Sequence, residues 1–305
     1  QLMLQYISMD LLDLRNYLTH LFLFVEYLEV GKSVSMKTLT ARTILTYNCN
    51  SFYIDVEGEY SKLCQRLGGK VIKISQGKPS GINPFELEPD FNGKYEFLNI
   101  NEKVSDIRAL LSTITRNYMF RTLNSNEMTE IEIVVNEIYK DKGITEDVNS
   151  LYQENDGKIA NNKYVVGKVK KKMPTLTDFQ KRLEERDKCP ELAELLILFL
   201  KGNSMGFFDC ESTITASTDI ICFDLSEIKD EFTKLYSSVV VLNWAWQKFV
   251  LKNKDKNKII NCDEGWYFLK YKEAANFLAD VGRRGRKYHT ALYIGSQFID
   301  EFIRK

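Results

Sequence analysis

Six short apolar runs, most of them followed by a stretch of helical periodicity, restrict what this chain can fold into. They are residues 21–25, 52–54, 71–74, 220–223, 259–262 and 291–294. Four of them close on polar groups: Asp55, Asp224, Asp263-Glu264 and the Ser296-Gln297 pair. Between them, residues 35–47 read as a helix with Met36, Leu39 and Ile44-Leu45 on one face, and residues 60–67 as a helix stopped by Gly68-Gly69. Residues 237–251 and 267–281 read the same way. Uninterrupted apolar strands alternating with helices predict an α/β fold, a parallel sheet covered on both faces.

The alternation lapses from about residue 97 to 202. Residues 104–115, 127–140, 176–186 and 191–201 carry helical periodicity, and residues 155–172 are polar and lysine-rich, which reads as an exposed loop. The expected organisation is therefore residues 1–95 as the first part of the core, 96–204 as an inserted all-α subdomain, and 205–305 as the second part of the core. Residues 1–20 give no assignable pattern. At 305 residues and 44% hydrophobic composition, the chain can bury a large core.

Charge and cysteine usage narrow the class. Lys+Arg and Asp+Glu both number 42, so net charge gives no support to a nucleic-acid partner, although a local basic groove is compatible with neutrality. The six cysteines form no CxxC pair and only His20 and His289 are present, which argues against a zinc site and for buried thiols in a reducing, cytoplasmic setting. No apolar run reaches about 18 residues, so no transmembrane segment is expected and contact with a membrane would come through partners.

Two constellations carry chemistry. Gly31-Lys32-Ser33 opens the first helix of the alternation. Backbone N–H groups and a helix N-terminus favour an anion there, a lysine reaches the β- and γ-phosphates, and a serine hydroxyl ligates Mg²⁺. The signature GxxxxGK[ST] is only half met, since position 26 is Glu and residues 27–30 contain no glycine. Asp263-Glu264 closes a buried strand in a later unit, where one carboxylate can hold Mg²⁺ and the next can polarise the attacking water. Arg283, Arg284, Arg286 and Lys287 then precede the last strand, as an arginine finger or as a solvated charged loop, and Gln297 follows that strand as a candidate sensor of the γ-phosphate.

In this order the motifs resemble the conjugation ATPases of type IV secretion systems, in the HerA–FtsK group of P-loop motors. The resemblance is carried by Gly31-Lys32-Ser33-Val34, Ile54-Asp55-Val56-Glu57-Gly58-Glu59-Tyr60, Leu67-Gly68-Gly69, Ile82-Asn83-Pro84-Phe85 and Cys222-Phe223-Asp224-Leu225-Ser226. Asp263-Glu264-Gly265-Trp266, Arg283-Arg284-Gly285-Arg286-Lys287-Tyr288 and Ser296-Gln297 complete it, over roughly residues 28 to 300.

It implies a RecA-like P-loop NTPase core with an all-α insertion, ATP and Mg²⁺ as cofactors, and an oligomer, a hexamer by family habit. Gly31, Lys32, Ser33 and Val34 would bind nucleotide, Ser33 and Asp263 the metal, with Lys32, Glu264, Arg284, Arg286 and Gln297 catalytic. It further implies channel components at the inner membrane as partners and a cytoplasmic location on the inner face of that membrane. It also leads one to expect loop residues between Val30 and Gly31 that this sequence lacks, and closing strands after Gln297. A DNA-translocating ATPase of the same group and a non-hydrolysing scaffold share these motifs. Stimulation of hydrolysis by DNA distinguishes the first, and absence of nucleotide binding at millimolar ATP the second.

Overall fold

The structure, a computed structural model, describes residues 21–25, 32–91, 93–160, 163–215, 218–252, 255–265, 268 and 272–296. Gly31, Gln297 and residues 1–20 lie outside these. The chain divides into two compact units, residues 1–75 with 215–305 and residues 76–214.

The first unit is built on a six-stranded sheet. Its strands, numbered along the chain, are β1 (Leu21–Val25), β2 (Asn50–Asp55), β3 (Lys70–Lys73), β8 (Ile220–Asp224), β9 (Lys258–Cys262) and β10 (Thr290–Ser296), and β4 to β7 belong to the second unit. The order across the sheet is β1-β10-β9-β2-β8-β3, every pair parallel. Parallel neighbours need crossovers, which the helices supply. They are α1 (Lys32–Tyr47), α2 (Ser61–Arg66), α7 (Glu231–Trp244), which runs into a π-helical turn over Ala245–Val250, and α8 (Lys272–Arg284).

Strand parity sorts the core into two layers. Tyr53, Cys222, Ile259, Ala291 and Tyr293 pack with Met36 and Ile44 of α1 and with Tyr60 and Cys64 at α2. On the opposite face Phe52 and Phe223 meet Trp244 and Phe249, with Phe52–Phe223 and Phe52–Phe249 centroids 5.6 Å apart. Gly69 marks a close approach, because a Cβ there would lie 2.6 Å from the Cys64 sulfur and 2.7 Å from an Ile220 methyl.

The second unit holds α3 (Ile100–Tyr118), α4 (Ser125–Asp141), α5 (Leu176–Arg186) and α6 (Pro190–Leu196). Asn124 caps α4 in a capping box with Glu127, and Arg121 pairs with the same glutamate at 2.7 Å. The helical reading of this region holds, but the exposed loop expected over residues 155–172 does not. Residues 155–160 and 163–170 fall in an antiparallel pair of β6 (Tyr152–Ala160) and β7 (Lys163–Lys170), with register Tyr152↔Lys170 to Ala160↔Lys163. A second ribbon pairs β4 (Pro89–Phe91) with β5 (Glu96–Leu98), so the insertion is not all-α. A two-stranded ribbon is held by main-chain pairing and need not present an apolar face, so it leaves little hydrophobic alternation to read.

A buried amide ties the helix layer to the sheet. Asn261 of β9, 1% exposed, accepts from Thr40 Oγ1 of α1 at 2.9 Å. Its amide nitrogen donates to Ser51 Oγ at 3.0 Å and to the Phe52 carbonyl at 3.2 Å. Asn261→Leu leaves Thr40 and Ser51 buried without this partner, and we expect it to cost about 2–4 kcal/mol, read as a lower urea midpoint.

Lys258, at the other end of β9, is 1% exposed and donates from Nζ to the Lys256 carbonyl at 2.7 Å. Burial pulls its pKa down from 10.5 to about 8, partly opposed by Asp255. The folded chain thus sheds this proton near pH 8 while the unfolded chain holds it to about 10.5. Unfolding takes up a proton in that window, so stability rises with pH there. Lys258→Met is expected to be more stable than wild type at pH 7 and to lack this rise, measured as urea midpoints from pH 7 to 10.

Candidate functional site

Three aspartates stand level at the carboxyl ends of neighbouring strands. Asp55 pairs in register with Asp224, and the Ile54↔Cys262 register continues to Asp263. Two-residue parity puts all three on the face covered by α1 and α2. The ends of parallel strands are where open α/β sheets bind ligands, so each carboxylate is a candidate. Their hydrogen bonds separate them.

Asp55 is used up by its own turn. Its Oδ1 accepts from the N–H groups of Gly58 and Glu59, both at 2.9 Å, and its Oδ2 from Tyr60 at 2.8 Å and Ser61 at 3.2 Å. Gly58 makes the turn at φ +79°, a left-handed conformation that suits glycine. Burial raises the Asp55 pKa, with the N–H donors opposing. Asp224 accepts from Ser61 Oγ at 2.8 Å, Ser226 Oγ at 2.6 Å and Ser226 N–H at 3.0 Å. Burial pushes its pKa upward, but the Ser226 and Ser61 donors outweigh it and hold the carboxyl below its usual range. Both acids close loops and hold the second helix start in place.

Asp263 faces α1. Its Oδ2 lies 3.4 Å from Ser33 Oγ in the first turn of that helix and accepts from Tyr60 Oη at 3.0 Å. Its Oδ1 accepts from the Glu264 N–H at 3.0 Å. Asp263 is 7% exposed and Glu264 half-buried, with Glu264 held at φ +57°. Non-glycine residues in that region carry backbone strain, and such strain is concentrated where side chains are aimed for function. Lys37, one turn further along α1, donates to Glu59 at 2.8 Å and lies 5.0 Å above the Tyr60 ring. Thus α1, the turn after β2 and the end of β9 converge on one carboxylate beside a helix N-terminus, where anions are favoured.

The structure brings Ser33 and Asp263 together, with Glu264 next to Asp263 in the chain. Lys32 is the first residue of α1, and Val34 follows in the same turn with its side chain 61% exposed. Gly31 and Gln297 lie outside the described residues. Ser296 closes β10, between β1 and β9, at the same edge of the sheet as Asp263. Arg284 and Arg286 sit elsewhere: Arg284 ends α8 and Arg286 falls in the 3₁₀ turn Gly285–Tyr288, both exposed and both ahead of Thr290. Thr290 pairs with Lys258 at the opposite edge of the sheet, a strand length of roughly 17 Å from Asp263. Arg284 stacks over the Trp246 ring at 4.8 Å. Cys222 and Cys262 have their thiols pushed far up by burial, which makes them core groups and not nucleophiles.

A family model described as an AAA-like domain matches residues 16–304. The chain belongs to this family. Among solved structures it is similar to VirB4 of Thermoanaerobacter pseudethanolicus, with a TM-score of 0.69 and 24% identity over 90% of this chain and 68% of that one. At that identity the likeness is one of fold. No curated protein matches the chain. Both findings agree with the parallel α/β core described above.

Sequence reasoning gave no role to Thr40, Asn261 or Tyr60, although Tyr60 stood inside a motif used for the resemblance. The available signal for Asn261 was a lone amide in an apolar strand, which must find partners when buried. For Asp55, Asn can present one oxygen where the carboxylate presents two, and its NH₂ would face two N–H donors. Asp55→Asn is expected to lower stability by about 2–4 kcal/mol, read by urea unfolding.

Proposed function

We propose that this AAA-like chain is an ATP-hydrolysing motor of a type IV secretion system, energising pilus assembly or substrate transfer during conjugation. The observation that carries this is the approach of Ser33 Oγ to Asp263 Oδ2, 3.4 Å apart across the start of α1 and the end of β9. Two hard oxygen donors meeting beside a helix N-terminus fit Mg²⁺ and a polyphosphate. When bound, Mg·ATP supplies the γ-phosphoryl group and the charge that offsets its oxygens.

The residues take separate tasks. The backbone from Gly31 to Val34 cradles phosphate and Lys32 reaches the β- and γ-phosphates. Ser33 and Asp263 hold the metal. Glu264 orients the attacking water and draws its proton, and Gln297 reports the γ-phosphate. Arg284 and Arg286, at the other edge of the sheet, serve the site of a neighbouring subunit, which requires a ring, a hexamer by the family resemblance. Partners are then channel components at the inner face of the cell membrane, reached from the cytoplasm. Among the described residues no helix is long and apolar enough to cross a membrane.

Lys32→Ala is expected to abolish ATP turnover with an unchanged melting temperature, and undiminished hydrolysis in that variant would overturn the assignment. Glu264→Gln should lower kcat about 10²–10⁴-fold while nucleotide still binds. A mixture of Glu264→Gln and Arg286→Ala chains, each inactive alone, should regain activity, because mixed rings contain intact sites formed from both. A mixture that stays dead removes the role of Arg286 in trans.

A further inference from the structure

Tyr60 sits where three elements of the site meet, and no motif assigned it a task. It is 1% exposed. Its backbone N–H is fixed on Asp55 Oδ2 at 2.8 Å, which anchors the residue to the end of β2. Its ring lies against Tyr53, centroids 5.4 Å apart, with Lys37 Nζ of α1 at 5.0 Å from the ring centre. Its hydroxyl donates to Asp263 Oδ2 at 3.0 Å, the same oxygen that Ser33 Oγ approaches at 3.4 Å.

The consequence for Asp263 is directional. A carboxylate attached through a single Cβ can rotate about χ1 and χ2, and each rotation moves both oxygens. Here the Glu264 N–H holds Oδ1 and the Tyr60 hydroxyl holds Oδ2. A backbone N–H on one oxygen and a fully buried phenol on the other restrict the carboxylate's rotation, with Oδ2 turned toward Ser33 Oγ. A metal ligand held this way needs no reordering when the ion arrives, and the outer partners of ligating carboxylates commonly set affinity.

We infer that Tyr60 is a positioning residue for the metal site, orienting Asp263 through the Oη–Oδ2 hydrogen bond so that one oxygen meets the ion held with Ser33. The inference rests on the reading of Ser33 and Asp263 as the metal-holding pair. It specifies more than that reading, because the turn after β2 then forms part of the metal site.

The test is the Mg²⁺ dependence of thermal stabilisation at a fixed concentration of a non-hydrolysable ATP analogue. Tyr60→Phe keeps the ring and removes the donor. It is expected to raise the half-saturating Mg²⁺ about tenfold while binding of the analogue without metal is unchanged. Tyr53→Phe, which deletes a neighbouring buried hydroxyl, should leave the Mg²⁺ requirement at the wild-type value. In an Asp263→Asn background Tyr60→Phe should add no further shift, since the two act on one bond. An unchanged Mg²⁺ midpoint in Tyr60→Phe, or additive shifts in the double variant, would overturn the inference. A wild-type protein showing no Mg²⁺-dependent stabilisation would remove the motor reading together with it, so the two failures are distinct. A second measurement needs no variant: with tyrosine labelled at ¹³Cζ, adding Mg²⁺ to nucleotide-loaded wild type should move a tyrosine resonance, and a spectrum in which none moves also overturns it.

Discussion

The amide of Asn261 fixes the spacing on which the site depends. A helix packed on a sheet by apolar contacts alone can slide by part of a turn at small cost, since dispersion and burial carry no direction. Hydrogen bonds do carry direction. Thr40 on α1 and Ser51 on β2 both bind the one side chain of β9, at 2.9 and 3.0 Å. That sets the azimuth and height of α1 relative to β9. Seven residues before Thr40, two turns back along the helix, stands Ser33, and two residues beyond Asn261 stands Asp263. The 3.4 Å approach of those two follows from a bolt buried deeper in the core.

The three strand-end aspartates show how burial divides like residues among unlike tasks. A carboxylate placed at the rim of a core must be supplied with donors or be protonated. Asp55 draws four backbone N–H groups and Asp224 two serine hydroxyls with one N–H, so these two organise loops. Asp263 takes its donors from a neighbouring N–H, a phenol and the serine at the start of α1. The difference is made by what stands over each strand end, since parity and register treat all three alike. The candidate fingers Arg284 and Arg286 show the complementary case: they belong to the motif set, yet the sheet separates them from Asp263.

Much of the first unit was legible because its signals are local. Apolar runs of three or four residues closing on acids are strands buried on both faces, and Leu39, Met36 and Ile44 recur at helical spacing. All six runs became strands of one parallel sheet. The antiparallel pair of Tyr152–Ala160 and Lys163–Lys170 was not legible, because its pairing rests on main-chain groups that every residue carries. Nor was the role of Tyr60, which lies 203 positions from its partner Asp263.

The amino-acid sequence by itself determined the order of strands and helices, the family resemblance and the chemical types available at each strand end, since these follow from side-chain periodicity and from turn-forming residues close together in the chain. The tertiary structure decided the 3.4 Å approach of Asp263 to Ser33, 230 positions away, and that a tyrosine and an asparagine without motif roles bond to Asp263 and to α1. Those contacts depend on strand order and on the rotation of α1 over the sheet. Both are fixed by packing among elements distant in the chain, where local periodicity carries no information.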